Sequence, residues 1–334
     1  MQPDTSLITI NDNESHIVQF LKDLIIKPRV DIHRWSVITR QTPTLKIGYI
    51  GQHLTSLILG MQGVRTGARG HDIVDGTEVK SCTKVDQVDV CKDCNGRVMR
   101  TEIECPHCSS LRIGRKDDSK WLFSIRTDDE LRYITEDVPR IFLLISDYPY
   151  FKTGNFSSIR FEAFEIFPQS PRMSIFNDLL SHYFVNNYLP KAGSNSKTSP
   201  MNFHPYSFQF YMCNPIKVFS CVIDNIDNEN SSIVINHYVE PSVNRNSLAS
   251  EDLPVQKLVK HELVRFIEDA PFDEIIRPLI IDGTTNKADL LIKIRRLKPE
   301  DWSTVIPLID EKGKKFIPLR DIVISPQTAI YRRA

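Results

Sequence analysis

The sequence has no long apolar run, no secretion signal and no excess of charge of one sign. No apolar stretch approaches the roughly 20 residues that a membrane-spanning helix needs, and residues 1–5 have neither the basic flank nor the apolar segment of a signal peptide. We therefore expect a protein that works inside the cell. The 42 basic residues balance the 42 acidic ones. This balance argues against a chain that coats nucleic acid non-specifically, although a neutral chain can still carry a basic cleft.

A length of 334 residues is more than one simple hydrophobic core organises. It predicts two domains, or one domain with insertions. Hydrophobic residues make up 41% of the chain and charged residues 25%, which is typical of a globular protein and not of a disordered one. Four of the seven cysteines stand in two Cys-x-x-Cys pairs. This pattern favours metal binding in a reducing compartment over a disulfide framework.

The two cysteine pairs have the spacing of a zinc ribbon: Cys91-x2-Cys94-x10-Cys105-x2-Cys108. Each pair forms a tight turn, a knuckle, that points two sulfur atoms at one position, and two knuckles complete a tetrahedral Zn²⁺ site. Four sulfur ligands leave no open coordination position, so this zinc is predicted to be structural. A redox dithiol is the alternative, but a single dithiol does not require two matched pairs. We place the ribbon at about residues 88–116.

Basic side chains occur around the cysteines and in a glycine-rich segment at residues 62–70. Those that could contact DNA backbone or base edges are Arg65, Arg69, Arg97, Arg100, Arg112, Arg115 and Lys116. The segment is not a Walker loop, because no Gly-Lys-Ser/Thr follows it. For the residues of the ribbon, the alternative is a solvated surface around a small metal-binding module. For residues 62–70, the alternative is a flexible entry to the turn.

A cluster of two carboxylates and a lysine surrounds an Asp-Gly turn. Glu78 and Lys80 are two residues apart, so on a strand they project from one face. A two-residue loop would turn Asp72 away from Glu78, whereas a three-residue loop over positions 74–76 would bring all three groups together. The longer loop needs a left-handed residue at its end, which Gly76 supplies at little cost. We predict the three-residue loop, in a β-hairpin that pairs Asp72 with Glu78.

Two facing carboxylates repel each other unless a cation lies between them. Hard oxygen ligands suit Mg²⁺, which binds one or two carboxylates together with substrate phosphate oxygens. A lysine beside the metal can orient or deprotonate the attacking water, or stabilise charge on the phosphate. These are the groups that metal-dependent phosphodiester hydrolysis requires. The alternative is a solvated hairpin face with weak ion pairs.

Hydrophobic periodicity and turn residues predict an α/β core. Helices are expected at residues 11–26, ended by Pro28, at 46–59, ended by Gly60, and at 173–189. Residues 35–42 are expected to be a short strand or a loop. Strands are expected at 140–146, where the apolar run predicts a buried central strand, and at 159–167, 207–213 and 233–239; residues 288–294 suggest a further β element. The chain is thus divided into an N-terminal helical segment (1–45), a core with the ribbon inserted (46–224) and a C-terminal α+β part (225–334).

The motif around Asp72 resembles that of a known enzyme family. Asp-x5-Glu-Val-Lys is similar to the PD-(D/E)XK nuclease motif, with His71 where that motif has proline. IGYIGQHL (47–54), TGARGHD (66–72) and DGTEVKSC (75–82) together resemble the MamI-like type II restriction endonucleases. The resemblance extends from about residue 47 to FQFYMCNP (208–215).

The resemblance implies a PD-(D/E)XK fold, which is a mixed sheet flanked by helices. It also implies a homodimeric enzyme that cleaves double-stranded DNA with Mg²⁺. Asp72, Glu78 and the Val79 carbonyl would bind Mg²⁺, and Lys80 would assist the attacking water. The helix before the hairpin often carries an acidic residue near the site in such nucleases. Gln52 stands there instead, and we expect it to be a surface amide.

The resemblance also places the protein in the cytoplasm of a prokaryote, beside a cognate DNA methyltransferase. Apart from the resemblance, the helix, small strands and basic residues of the C-terminal part could serve DNA binding or dimerisation, or the part could be a subdomain with a packing role. Two alternatives remain open at this point. One is a zinc-ribbon binding module without catalysis, and the other is a repair nuclease of the same fold that recognises DNA structure.

Overall fold

The structure is a computed structural model that describes residues 3–39, 48–65, 70–85, 87–115, 118–194, 197–228 and 230–320. The chain forms two compact units. The first contains Met1–Leu122, Glu136–Phe167 and Lys217–Asn246, and the second contains Phe123–Thr135, Pro168–Ile216 and Ser247–Ala334. None of the helices in the described ranges is long and apolar enough to cross a membrane.

The strands are β1 Glu78–Thr83, β2 Val88–Cys91, β3 Arg97–Met99, β4 Ile113–Gly114, β5 Trp121–Phe123, β6 Ile141–Asp147, β7 Ile159–Ile166, β8 Met201–Phe203, β9 Ile216–Asp224, β10 Ser232–Tyr238, β11 Leu253–Pro254 and β12 Leu308–Ile309. The α-helices are α1 Asn13–Leu21, α2 Lys27–Thr39, α3 Gly48–Leu59, α4 Asp128–Arg132, α5 Ser174–Tyr183, α6 Leu189–Gly193, α7 Phe208–Met212, α8 Lys260–Asp269, α9 Lys287–Arg296 and α10 Glu311–Lys314. Both lists cover the described ranges alone.

A five-stranded mixed sheet forms the centre of the first unit, in the order β1-β6-β7-β9-β10. β1 runs parallel to β6, whereas β6 and β7 are antiparallel, as are β9 and β10. Every residue of β6 is buried, which confirms the central strand predicted from its apolar run. The sheet includes β10, which lies beyond the core boundary predicted at residue 224.

The position of β1 decides where its polar side chains lie. β1 is an edge strand, and its Glu78 and Lys80 are opposite Ile141 and Leu143 of β6. Since side chains alternate along a strand, Glu78 and Lys80 share one face while Val79 and Ser81 occupy the other. The edge position leaves one side of the β1 backbone open to groups from outside the sheet.

The N-terminal helix contradicts the predicted stop at Pro28. α1 passes through a π-helical turn, Lys22–Ile26, directly into α2, and the Lys27 amide donates to the Lys22 carbonyl. Proline lacks an amide hydrogen and its ring clashes with the carbonyl four residues earlier. The wider π turn just before Pro28 accommodates this disruption. Residues 35–39 are therefore helical, so the strand or loop predicted there is wrong. Residues 40–42 of that prediction lie outside the described residues.

Two predicted β elements of the second unit are helices. Residues 207–213 form α7, because the Ser207 hydroxyl accepts a hydrogen bond from the Phe210 amide at 3.2 Å and caps the helix. Residues 288–294 lie in α9, which Asn286 caps by accepting from the Asp289 amide at 2.9 Å. In both cases a side-chain cap of the first turn outweighs the β-prone apolar residues that follow.

Helix α3 lies directly on β1 at Gly51. A Cβ atom at Gly51 would stand 1.9 Å from Ser81 Oγ and 2.8 Å from Ser81 Cβ. Glycine is therefore required by close packing here, and its absent side chain lets α3 approach the strand that carries Glu78 and Lys80.

We predict that Gly51→Ala destabilises the protein although alanine is the better helix former. The added methyl group must push α3 away from β1, at a cost of about 1–3 kcal/mol, and Ser81→Gly should recover part of the loss. Urea unfolding measures the effect. Gly193→Ala is the matched control, because among the described residues no atom outside its own helix and chain neighbours lies within 4 Å of an added Cβ. Equal stability of Gly51→Ala and Gly193→Ala would contradict the packing described.

Candidate active site and metal-binding ribbon

The turn before β1 has the predicted three-residue loop. The Gly76 amide donates to the Ile73 carbonyl at 3.0 Å, the Ile73 amide donates to the Thr77 carbonyl at 3.3 Å, and Gly76 is left-handed with φ 90°. The extended hairpin is not formed, however. Ile73 forms a bridge with Gly63, and β1 pairs with β6 instead. The Val64 amide donates to the Asp72 carbonyl at 3.0 Å and the Val74 amide donates to the Gln62 carbonyl at 3.1 Å, so the segment before the turn pairs with residues 62–64 and not with β1.

The Asp72 carboxylate reaches β1 through its side chain. Its Oδ2 accepts the Val79 amide at 2.8 Å. The Glu78 amide donates to the carbonyl of Arg140, just before β6, so the Val79 amide points to the open edge. Since both polar backbone groups of a strand residue point to the same side, the Val79 carbonyl also faces that edge. Asp72 and the Val79 carbonyl are thus on one side of β1, at its start.

Gln52 contacts Asp72, contrary to our expectation of a surface amide. Its Nε2 donates to Asp72 Oδ1 at 2.7 Å, and the side chain is half-buried. The contact follows from α3 lying on β1 at Gly51, the preceding residue. A side-chain amide also has an oxygen that can act as a ligand, so Gln52 belongs to the site.

Glu78 and Lys80 form a close pair beside Asp72. Lys80 Nζ lies 2.6 Å from Glu78 Oε1. The Lys80 side chain is 25% exposed and the Glu78 side chain is 15% exposed. Burial raises the pKa of Glu78, Lys80 opposes this rise, and the negative charge of Asp72 adds to it. Two carboxylates, a lysine and a carboxamide therefore meet at the edge of the sheet. The oxygens of Asp72, Glu78 and the Val79 carbonyl fit a hard divalent cation, which would offset the repulsion between the carboxylates.

The ribbon is a three-stranded antiparallel sheet, in the order β3-β2-β4, with two matching knuckles. In the first, the Asn95 amide donates to the Cys91 carbonyl at 3.0 Å; in the second, the Ser109 amide donates to the Cys105 carbonyl at 2.8 Å. Asn95 and Ser109 are both left-handed, with φ 58° and 54°. The two knuckles therefore have the same conformation, with a left-handed residue four positions after the first cysteine of each pair.

The four sulfur atoms of the knuckles converge on one position. All lie within 4.8 Å of one another, with 3.7 Å between Cys91 and Cys108 and 3.5 Å between Cys94 and Cys105. Four sulfurs at about 2.3 Å from one Zn²⁺ would be about 3.8 Å apart. Backbone amides of Cys94 and Asp93 lower the pKa of Cys91 to about 6, which favours its thiolate, whereas neighbouring thiols raise the pKa of Cys108 to about 12. The four-cysteine cluster can hold a metal ion of this size.

Two arginines predicted to contact DNA are structural instead. Arg100 is only 3% exposed and binds the fully buried Asp89 through Nε at 3.0 Å and Nη2 at 3.1 Å. Arg115 reaches the same carboxylate at 3.0 Å and also donates to the Arg100 carbonyl. Arg100 therefore has almost no surface to offer DNA, whereas the Arg115 side chain is 25% exposed and is held by Asp89 and the Arg100 carbonyl. The sequence showed their charge but not the buried partner, Asp89, at the middle of β2.

The other predicted DNA contacts fall into two groups. Arg65 and Arg97 are exposed, and Arg112, 72% exposed, has an ion pair with Asp93 at 3.2 Å. Arg69 and Lys116 lie outside the described residues.

The ribbon is attached to the core at the end of β1 that lies away from Glu78. The Ser119 hydroxyl donates to the carbonyl of Thr83, the last residue of β1, at 2.8 Å. The Arg100 guanidinium lies 4.8 Å from the centre of the Phe151 ring, and that of Arg115 lies 5.9 Å from Phe156. Cation–π contacts of this kind favour a fixed placement of the ribbon on the loop between β6 and β7.

Comparison with known proteins gives two matches. A protein-family profile described as MamI restriction endonuclease matches residues 34–256, about two thirds of the chain. Type II restriction enzyme MamI of Microbacterium ammoniaphilum is 37% identical over 67 residues. That alignment covers 20% of this chain and only 22% of the relative. No solved structure matches the chain.

We predict that Arg100→Ala destabilises the ribbon by about 3–5 kcal/mol, because it leaves the buried Asp89 charge short of a partner. Arg97→Ala, at an exposed position of the same ribbon, should change stability by less than about 0.5 kcal/mol. Urea unfolding and an electrophoretic DNA-binding assay measure the two variants side by side. An Arg100→Ala protein of full stability that binds DNA weakly would instead make Arg100 a DNA contact.

Proposed function

Because the chain belongs to the MamI restriction endonuclease family, we propose that it is a type II restriction endonuclease that hydrolyses double-stranded DNA at a specific sequence. The observation that supports this activity is the meeting of Asp72, Glu78 and Lys80 at the start of β1, where Asp72 accepts the Val79 amide and Lys80 pairs with Glu78. A mixed sheet with Glu78 and Lys80 on an edge strand and Asp72 bonded to that strand also fits the PD-(D/E)XK core, which we propose as the fold of the first unit.

Asp72, Glu78 and the Val79 carbonyl would hold the catalytic Mg²⁺, with Gln52 beside them. When bound, Mg²⁺ supplies positive charge that polarises the scissile phosphate and stabilises charge developing on it. The Lys80 ammonium lies 2.6 Å from Glu78 Oε1, close enough to orient the attacking water or to contact a phosphate oxygen. Gln52 and the Val79 amide, each donating to one Asp72 oxygen, orient that carboxylate.

The four-cysteine cluster would hold a structural Zn²⁺. Four thiolates satisfy its tetrahedral preference and leave no position for substrate. Arg65, Arg97 and Arg112 are the exposed arginines that we propose as DNA contacts, joined by Arg69 and Lys116 from the sequence prediction. The chain from Ser247 onward would serve DNA binding or dimerisation.

A twofold dimer would match the symmetry of a palindromic site, with each subunit cutting one strand. Family membership further suggests a cognate methyltransferase in the same prokaryotic cytoplasm.

We predict that Glu78→Ala and Lys80→Ala each lower DNA cleavage by at least about a hundredfold, because each removes a group that acts on the reacting atoms. The measurement is digestion of a long, sequenced, unmethylated DNA with Mg²⁺. Asp129→Ala, at a carboxylate that is 94% exposed, is the matched control and should cut like wild type.

Discrete fragments from wild type, lost in Glu78→Ala, would support the site-specific nuclease, and their ends would give the recognition sequence. A smear, or preferential cutting of branched or damaged DNA, would favour a structure-specific nuclease of the same fold. If neither protein cuts methylated or unmethylated DNA but both bind it, the zinc-ribbon binding module is the better description.

For the ribbon, we predict one Zn²⁺ per chain in protein purified without chelator. Metal removal should unfold the ribbon, since folding and zinc binding in such modules are coupled by about 10 kcal/mol or more. Elemental analysis and limited proteolysis measure the two effects. Cys105→Ala should lose zinc, whereas Cys82→Ala, on β1, should retain it. Zinc-free wild-type protein with a protease-resistant ribbon would refute the assignment.

A further inference from the structure

Three charged side chains are buried under the candidate active site in the first unit. Glu165, on β7, is completely buried, and Arg140 and Arg245 are 9% and 3% exposed. Removing charges from water is costly unless they are paired and hydrogen-bonded. Glu165 Oε1 lies 3.3 Å from Arg140 Nη1 and 2.7 Å from Arg245 Nη1. One oxygen thus meets both guanidinium groups, so the position of each arginine depends on the other.

Arg140 holds the turn that separates Asp72 from Glu78. Its Nε donates to Thr77 Oγ1 at 2.9 Å, and its Nη2 forms an ion pair with Asp75. Its carbonyl accepts the Glu78 amide at 3.0 Å. Asp75 in turn accepts the Thr77 amide at 3.0 Å. A single residue therefore fixes the turn by side-chain contacts and the first residue of β1 by a backbone contact.

Arg245 holds the helix on the other side of the site. Its Nη2 donates to the carbonyl of Ile58, at the end of α3, at 3.0 Å, and also to the carbonyl of Val239. Helix α3 carries Gln52, whose amide binds Asp72. The network of Arg140, Glu165 and Arg245 therefore joins the three elements that supply the site: the turn, the start of β1 and α3.

We propose that Arg140, Glu165 and Arg245 are positioning residues that set the separation of the Asp72 and Glu78 carboxylates, and with it the affinity for the catalytic divalent cation. The proposal deepens the proposed function and rests on it. None of the three contacts Asp72 or Glu78 through its side chain in the contacts described. They act through Thr77, Asp75 and α3. Mg²⁺ demands near-ideal octahedral geometry at about 2.0–2.1 Å, so a small shift of one carboxylate weakens its binding.

Three substitutions separate positioning from plain stability. Thr77→Val keeps the shape of the side chain and removes the oxygen that accepts from Arg140 Nε. Arg140→Lys keeps the charge, but one ammonium group cannot contact Thr77, Asp75 and Glu165 at once. Glu165→Gln keeps the volume and removes the shared charge. The matched control is Arg172→Lys in the second unit, where Arg172 has an ion pair with Glu311 at 2.5 Å.

The experiment measures Mn²⁺ binding to the full-length chain without DNA, by calorimetry and by electron paramagnetic resonance, and in parallel the Mg²⁺ concentration for half-maximal cleavage. Loss of an outer contact to a metal site weakens binding roughly 10- to 100-fold. We expect Thr77→Val and Arg140→Lys to weaken Mn²⁺ binding by that order. Both should raise the Mg²⁺ concentration for half-maximal cleavage by the same factor, and cleavage should recover at high Mg²⁺. Arg172→Lys should leave both values unchanged.

The outcomes are distinguishable. Folded Thr77→Val and Arg140→Lys proteins, verified by circular dichroism, with wild-type Mn²⁺ affinity would overturn the positioning role while leaving the nuclease intact. Loss of activity that high Mg²⁺ does not restore, at unchanged metal affinity, would also overturn it. If Glu165→Gln fails to fold, Thr77→Val decides the question. A wild type that binds Mn²⁺ with the predicted variant effects but cuts no DNA would refute the proposed function and retain the network.

Discussion

The hydrogen bond from the Val79 amide to the Asp72 carboxylate is the contact on which the candidate site depends. Asp72 precedes β1 by six residues and belongs to no strand, so its side chain is held at β1 by contacts alone. The Val79 amide is available because β1 is an edge strand, and the Asp72 oxygen that remains is taken by Gln52. Sheet topology, the turn at Gly76 and the seating of α3 at Gly51 all converge on this one carboxylate.

Two clusters of buried ion pairs in the first unit, around Asp89 and around Glu165, hold different parts of it in place. In the ribbon, Asp89 binds Arg100 and Arg115, and these two arginines also contact Phe151 and Phe156 of the core. Below the active site, Glu165 binds Arg140 and Arg245 and connects elements that are distant in sequence. Each is a carboxylate between two guanidinium groups. Such pairs contribute little net stability relative to apolar packing. They do fix the orientation of the groups that they join, which a catalytic site requires more than a hydrophobic core does.

The sequence predicted the features that depend on local residues. Four cysteines at knuckle spacing, an Asp-Gly turn with its left-handed glycine, and a continuous apolar run each determine their own conformation, and the structure has all three. Predictions that needed distant partners were less successful. Pro28 continues a helix because a π turn precedes it, and residues 207–213 form a helix because Ser207 caps it. Nothing in the sequence marks Asp89 as the buried partner of Arg100, which lies eleven residues later in the chain.

An open sheet has two unpaired edges, and each can pair with a strand of another molecule and lead to aggregation. In this sheet the Asp72 carboxylate already occupies the Val79 amide at the β1 edge, and at the opposite edge β10 has an irregularity between Ile235 and His237 that breaks its regular ladder with β9. The side chain that would hold the catalytic cation therefore also covers a backbone donor that could recruit a foreign strand. Protection of the sheet edge and the proposed binding of the catalytic cation would thus depend on the same carboxylate, and each would restrict the residues that could replace Asp72.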